Sequence, residues 1–274
     1  MKKNNYFDVL IIKDELDSVD MIQVMMKDKC CGVFYENDSA QLYFNQGFKE
    51  SINRELVQLF PERSLEWEWG IQNNEDWHLT WQDKFKEILI DNKLAIIPPW
   101  QQRCSADLVV KIKPGMAFGT GHHETTWLML TQMMKYIQPG MSILDFGAGS
   151  GILSIAAIKM GAINVDAVEN DPECKINFYE NLYLNRIKQN IKFHDKDILN
   201  WNKFNYDLIL ANINWQVIKE MLPFLKSSCI KILLSGLLEV DFENMEALCH
   251  ENKYEIKEKM IKGEWGCYFI NLNG

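Results

Sequence analysis

Ser142-Ile143-Leu144-Asp145-Phe146-Gly147-Ala148-Gly149-Ser150-Gly151 is an apolar strand running into a glycine-rich turn, and the apolar helix that follows it ends near Gly161. Glycines at a strand-to-helix turn let the backbone approach a ligand closely and set that ligand by the helix N-terminus. Outward from this point, strand-like and helix-like stretches alternate from about residue 104. Strand candidates are Leu108 to Ile112, Ser142 to Asp145, Val165 to Glu169, Ile191 to His194, Asp207 to Ala211 and Ile230 to Ser235. Helical stretches cover roughly 123–137, 151–160, 172–188 and 215–226. Several of the strands are continuous apolar runs, as in a sheet covered on both faces. Residues 104–274 therefore read as a doubly wound α/β domain, with ligands at the carboxyl ends of its strands.

Ahead of this domain the character of the sequence changes twice. Residues 4–12 and 31–36 look like strands flanking an apolar helical stretch around Val19, Ile22, Val24 and Met25, and a second helix is expected near Phe48 to Phe60. Residues 1–66 read as a small α+β unit of the ferredoxin-like kind. Acidic residues outnumber basic ones in it and it has none of the glycine-rich chemistry, so recognition or docking suits it better than catalysis. Residues 67–103 hold Trp67, Trp69, Trp77, Trp81 and Trp100, with Pro98-Pro99 as a rigid break. They read as a linker whose aromatics pack, or, less favoured, as a substrate groove.

The chain of 274 residues carries 29 Lys and Arg against 38 Asp and Glu, and its net charge of −9 disfavours a sequence-independent grip on nucleic acid phosphates. Its 7 cysteines are nowhere spaced as C-x-x-C, which argues against zinc and a disulfide framework and for a reducing compartment. No signal-peptide core forms in Met1 to Ile12 and no membrane-length apolar run occurs, so a cytoplasmic protein is expected.

The turn after Leu144 decides the ligand class. A dinucleotide fingerprint G-x-G-x-x-G needs glycine at 152, where Ile152 stands, and the phosphate-cradling G-x-x-x-x-G-K-[ST] is absent. The arrangement D-x-G-x-G-x-G is the one associated with S-adenosylmethionine, with Gly147, Gly149 and Gly151 as cofactor-binding residues. Glu169 ends the next strand, where an acid can accept the ribose hydroxyls. Asp171-Pro172 behind it reads as a helix start, with Asp171 as N-cap. Asp197 is the better candidate in His194-Asp195-Lys196-Asp197 to accept from an adenine amino group. Asn212 ends the fourth strand in Asn212-Ile213-Asn214-Trp215, where a carboxamide can orient an amine. The missing Asn-Pro-Pro-aromatic weakens an amide or base nitrogen as acceptor. In Pro114 to Thr126, with Gly119, Gly121, His122, His123, Thr125 and Thr126, a cofactor lid or cap is expected. Adjacent histidines with no third ligand nearby make a metal site the minor reading, and the histidines are expected to cap the following helix or line the pocket.

At this point the sequence resembles the bacterial ribosomal protein L11 methyltransferase family, known as PrmA. The likeness runs through Glu75-Asp76-Trp77, Trp81, Phe85-Lys86, Phe118 to Gly121, His123 to Thr126, Asp145 to Gly151, Asn212-Ile213 and Leu234-Ser235-Gly236. The resemblance implies a Rossmann-like methyltransferase domain using S-adenosyl-L-methionine. It also implies that Thr125 and Thr126 touch the cofactor, Gly147 and Gly149 back its amino acid portion, Glu169 holds the ribose where aspartate is usual, and Asn212 holds the target amine while also counting among the cofactor-binding residues. Phe118 and Trp215 are expected in the substrate pocket. The implied substrate is the large-subunit ribosomal protein of the stalk base, methylated on lysine side chains and/or the N-terminal α-amine. No direct nucleic acid requirement and no membrane are expected, and the oligomeric state is open, with a monomer expected. Alternatives are a methyltransferase of another protein or small amine, a nucleic acid methyltransferase, and a catalytically silent binding module on the same fold.

Overall fold

The computed structural model describes residues 6–13, 19, 22, 26, 29–36, 39–60, 65–73, 87–102, 104–113, 123–225 and 231–272. The chain divides into two compact units, Met1–Lys86 and Glu87–Gly274.

The first unit contains β1 (Tyr6–Lys13), β2 (Cys30–Glu36), β3 (Ser39–Phe44), α1 (Lys49–Leu59) and β4 (Trp67–Asn73). Val19 and Ile22, between β1 and β2 in the chain, are also helical. The sheet order is β2-β3-β1-β4 with every neighbour antiparallel, the ferredoxin-like arrangement expected from the sequence. Leu10, Ile12, Val19, Ile22, Leu42, Phe44, Ile52 and Leu56 form its fully buried core. Ile52 and Leu56 stand one helical turn apart, so α1 turns a single apolar stripe to the sheet.

The stretch read as a linker over 67–103 is divided in the structure. Trp67 and Trp69 alternate with Glu68 along β4 and lie on one face of that strand. Both indole N–H groups donate to Asn53 Oδ1 of α1, at 3.0 and 3.4 Å, so the start of this stretch belongs to the small sheet. Trp77 and Trp81 lie outside the described residues. Further on, β5 (Ile88–Ile90) and β6 (Leu94–Ile97) make a hairpin, and β7 (Leu108–Lys111) adds to it in parallel. The hairpin turns through Asp91 and Asn92 at φ 49° and 55°, left-handed positions that short polar residues tolerate. Trp100 lines a surface groove of about 870 Å³ together with Tyr179 and Tyr183.

The second unit is built on a seven-stranded sheet of β8 (Ser142–Phe146), β9 (Asn164–Glu169), β10 (Ile191–Asp195), β11 (Leu208–Asn212), β12 (Lys231–Leu238), β13 (Tyr254–Lys262) and β14 (Trp265–Leu272). Its order is β10-β9-β8-β11-β12-β14-β13, with the first five strands parallel and β14 antiparallel to both of its neighbours, β12 and β13. The helices are α2 (Glu124–Tyr136), α3 (Ile152–Lys159), α4 (Pro172–Leu184), α5 (Trp215–Met221) and α6 (Phe242–Glu251). Alternate strand residues feed two cores. Ile143, Leu208 and Leu210 meet Met129, Ile155 and Phe178 of α2, α3 and α4, whereas Leu144, Phe146, Ile209 and Ala211 meet Ile218 of α5 and Met245 of α6. Burial on both faces is the reason these strands read as unbroken apolar runs.

Three boundaries differ from expectation, and β3, β5, β6, α6 and the β13–β14 hairpin are elements not expected from the sequence. α4 ends at Leu184 rather than 188, because Arg186 takes φ 58° and breaks the helical path. α5 ends at Met221 and passes into a 3₁₀ turn, Leu222–Leu225, that holds Pro223. β12 continues to Leu238 through an irregular pairing between Ser235 and Leu237. The β13–β14 hairpin has no counterpart in the sequence reading, although in Tyr254–Lys262 buried or half-buried residues alternate with exposed ones as in a one-sided edge strand. No helix among the described residues is long and apolar enough to cross a membrane.

The separate cores of the two units predict separate responses to truncation. Leu56→Ala is expected to cost about 2–5 kcal/mol in the small unit, as other buried Leu truncations do. Amide hydrogen exchange should accelerate in β1 and β3 and stay unchanged in β8 and β11.

Candidate functional site

Parallel strands leave a crevice at their carboxyl ends wherever the strand order reverses, and here that point lies between β8 and β11. The turn leaving β8 hooks onto the end of β9. Gly147 and Ala148 donate their N–H groups to the Val168 carbonyl at 3.0 and 3.2 Å, and Gly149 donates to Glu169 Oε2 at 3.0 Å. Glu169 Oε1 accepts from the N–H groups of Asn170 and Asp171, both at 2.9 Å. A carboxylate offers about four acceptor positions, so this one keeps about one for a ligand. Gly147, Gly149 and Gly151 adopt φ 69°, 50° and 81°. A Cβ on Gly147 would lie 2.4 Å from Ile213 Cγ2, and one on Gly151 would lie 2.8 Å from the Phe178 ring. Backbone conformation and close approach both demand glycine at these two positions.

Below the turn, Asp145 is fully buried and accepts from Ser154 Oγ at 2.5 Å on Oδ2. Its Oδ1 has no hydrogen-bond partner among the described residues. Burial pushes its pKa up to about 7; the Ser154 hydrogen bonds oppose that rise and the charge of Glu169 adds to it. The sequence shows Asp145 as the first residue of the glycine motif, but its burial follows only from the helices on both sides of the sheet.

Across the switch point, Asn212 ends β11. Its Nδ2 lies 3.5 Å from Thr126 Oγ1, while its Oδ1 is buried without a hydrogen-bond partner among the described residues. The next residue is held tightly: Ile213 donates its N–H to the Ser235 carbonyl at 3.2 Å, and Gly236 packs against the Ile213 peptide. A Cβ on Gly236, which has φ 93°, would lie 2.2 Å from the Ile213 carbonyl oxygen. Asn214 caps α5 by accepting from Val217 N–H at 3.1 Å, and Trp215 starts that helix half-buried.

Thr125 and Thr126 are both buried in the first turn of α2, with different partners. His123 is the N-cap of α2. Its Nδ1 receives the Thr125 N–H at 3.3 Å and lies 2.7 Å from Thr125 Oγ1, and its ring meets Trp265 edge-on at 4.7 Å. The helix-capping expectation for His123 is met, and His122 lies outside the described residues. The Thr125 hydroxyl is thus engaged with His123, whereas the Thr126 hydroxyl faces Asn212. Asp171 caps α4 through Glu173 N–H at 2.9 Å. Asp197 is exposed and caps a 3₁₀ turn, Ile198–Asn200, through Leu199 N–H at 2.9 Å. Phe118 lies outside the described residues. Among the described residues no group of three or more His, Cys, Asp or Glu side chains comes together as a metal site.

Two consequences are measurable. Gly236→Ala should cost more than about 1 kcal/mol in denaturant unfolding, because its φ and its contact with Ile213 both exclude a Cβ, and should displace Asn212 enough to lower turnover. Asp145 binds its proton more tightly folded than unfolded, since an unperturbed aspartate titrates near about 3.9. Its contribution to stability is complete below that value and is lost as the pH rises through about 7. The melting temperature of the wild type should therefore fall relative to Asp145→Asn between about pH 4 and pH 7.

The family model described as "Ribosomal protein L11 methyltransferase (PrmA)" matches residues 11–272 of this chain. A ribosomal protein L11 methyltransferase of Lactobacillus gasseri is 34% identical over 241 residues, 81% of this chain and 76% of that one. One from Desulfitobacterium hafniense is 35% identical over 217 residues, 77% of this chain and 69% of that one. The crystal structure of ribosomal protein L11 methylase from Lactobacillus delbrueckii subsp. bulgaricus superposes with a TM-score of 0.64 at 30% identity, covering 69% of this chain and all of that one. With a family match across nearly its whole length and the glycine turn, Asn212 and Gly236 meeting around one crevice, the chain belongs to the ribosomal protein L11 methyltransferase family.

Proposed function

We propose that this chain transfers methyl groups from S-adenosyl-L-methionine to amino groups of ribosomal protein L11, the stalk-base protein of the large subunit, at lysine side chains or the N-terminal α-amine. The observation that carries this reading is the buried, unpartnered Oδ1 of Asn212 at the switch point, next to Thr126 and one residue before the Ile213 contact with Gly147. Among the described residues, Asn212 Oδ1 and Asp145 Oδ1 are the two such atoms at the switch point, with others elsewhere in the chain, and a ligand's N–H in the crevice would satisfy Asn212.

The residues of the crevice suit the cofactor. Gly147 and Gly151 pack against Ile213 and Phe178 where a Cβ would not fit, and Gly149 shares their left-handed backbone, so the turn offers the bare backbone that close approach of its amino acid portion needs. Glu169 keeps acceptor capacity for ribose hydroxyls, and Asp197 stands beyond the neighbouring strand for the adenine amino group. Thr126 stands by Asn212, and Thr125 contributes through the first turn of α2. When bound, S-adenosyl-L-methionine supplies an electrophilic methyl on a sulfonium. The protein's part is alignment: Asn212 Oδ1 accepts an N–H of the acceptor amine and thereby turns the nitrogen lone pair into the crevice. Alignment of this kind is worth up to about 7–11 kcal/mol of barrier. The amine must be neutral to react, and burial of an amine favours its neutral form. Water takes the proton released after transfer. Trp215 belongs to the pocket that receives the amine, and the small N-terminal unit recognises the substrate. The enzyme acts in the cytoplasm as a monomer, with no requirement for nucleic acid or membrane.

The deciding experiment is transfer of labelled methyl from S-adenosyl-L-methionine to ribosomal proteins from a host lacking this activity, resolved by modified residue. Label on amines of L11 is expected, and label confined to other proteins would reassign the substrate. Asn212→Ala should lower kcat about 100-fold through misalignment, with the cofactor Kd changed little. Gly149→Arg should abolish cofactor binding in calorimetry. The kcat/KM for the acceptor should rise with pH and level off near about 8 for an α-amine, but continue rising towards about 10 for lysine.

A further inference from the structure

Three asparagines, Asn177, Asn181 and Asn185, recur along α4 and its C-cap at four-residue spacing, which puts them in one row on the helix. That row faces backbone. Asn185 Oδ1 accepts the Lys111 N–H at 2.9 Å, and its Nδ2 donates back to the Lys111 carbonyl at 2.6 Å. Asn181 Oδ1 accepts the Lys113 N–H at 2.8 Å, and Asn177 Nδ2 donates to the Lys113 carbonyl at 3.2 Å. Residues 111 and 113 are two apart, so in extended chain their N–H and C=O groups point to the same side. The carboxamides serve this segment at the end of β7 as a neighbouring strand would.

Asn181 does one thing more. It is fully buried, and its Nδ2 donates to the Ser150 carbonyl at 2.8 Å as well as to Asn177 Oδ1 at 3.2 Å. The Ser150 carbonyl belongs to the peptide that enters Gly151, while the preceding Gly149 N–H is held by Glu169. The glycine turn is thereby tethered at successive residues, by an acid on β9 and by a carboxamide on α4. Glycine conformations are weakly restrained by their own sterics, so a turn of this composition keeps one shape only where its peptides are held from outside. A leucine at 181 would fill similar space but leave the Ser150 carbonyl and the Lys113 N–H without these partners.

We propose that Asn181 is a positioning residue for the cofactor: it holds the Ser150–Gly151 peptide and the Lys113 backbone in one geometry, so that the glycine turn stands preformed for binding. The proposal rests on the reading of the crevice as an S-adenosyl-L-methionine site.

The test uses the full chain with S-adenosyl-L-methionine in titration calorimetry and in steady-state kinetics on L11. Wild type is compared with Asn181→Ala, Asn181→Asp and Asn185→Ala. The aspartate keeps the acceptor for Lys113 and turns an oxygen, not a donor, to the Ser150 carbonyl. Both Asn181 variants are expected to weaken cofactor binding at least tenfold, about 1.4 kcal/mol. They should raise the KM for the cofactor in step, with the KM for L11 within twofold. Asn185→Ala removes bonds of the same row but none to the turn, so it should lower the melting temperature and leave the cofactor Kd within twofold. A merely structural role would reduce the active fraction, and with it the apparent kcat, at unchanged KM. Folded Asn181 variants that bind within twofold of wild type overturn the proposal, and so does an equal loss of binding in Asn185→Ala. Should the alanine variant fail to fold, the isosteric aspartate carries the same comparison. A wild type that does not bind S-adenosyl-L-methionine overturns the reading of the crevice itself, and the proposal with it.

Discussion

The hydrogen bonds from the glycine turn to the end of β9 organise the rest of the site. A tight turn has N–H groups with no partner inside it, and buried donors must be paired. Here the Val168 carbonyl takes two of them and the Glu169 carboxylate takes a third. Parallel pairing of Phe146 with Val168 brings those acceptors level with the turn, so its shape follows from the register of two strands. Once the turn has that shape, Phe178 of α4 and Ile213 after β11 can approach Gly151 and Gly147 to distances that no substituted residue allows.

The crevice departs from the ordinary rule that buried polar atoms are satisfied. Among the described residues, Asp145 Oδ1 and Asn212 Oδ1 both lack hydrogen-bond partners, while the turn between them has its N–H groups of Gly147, Ala148 and Gly149 paired. Orphan acceptors cost stability, and a fold keeps them where they serve binding or chemistry. The charge of Glu169 adds to burial in raising the Asp145 pKa, so the acid that holds the turn also favours a neutral Asp145 beneath it. The helices add a second layer of control. His123 closes the start of α2, Asp171 closes the start of α4, and the asparagine row ties α4 to the end of β7 and to the turn itself.

Much of this was legible in the chain. Continuous apolar strands separated by helical stretches specify a sheet covered on both sides, and the D-x-G-x-G-x-G turn specifies where its ligand lies. Asp171-Pro172 announces a helix start because a capping acid and a proline suit only that position. The 67–103 segment was less transparent. Tryptophan at alternate positions fits a strand as well as a packed linker, and only the partner Asn53 on α1 distinguishes the two. The β13–β14 hairpin escaped notice because Glu258 takes an inward position of β13, where Gln132, Lys135 and Tyr136 of α2 bond its carboxylate, and so interrupts the apolar alternation of the sequence.

The sequence by itself determined the layer architecture, the glycine turn, the acid at the end of β9 and the carboxamide at the end of β11, because each depends on residue type and local spacing. Only the tertiary structure decided which partners those groups meet. Thr125 and Thr126 are chemically alike neighbours, yet one hydroxyl meets His123 and the other Asn212. Asn177, Asn181 and Asn185 look like poor helix formers until β7 supplies the backbone they bind. Hydrogen bonding between elements distant in the chain depends on how they pack, and local sequence carries no record of that distance.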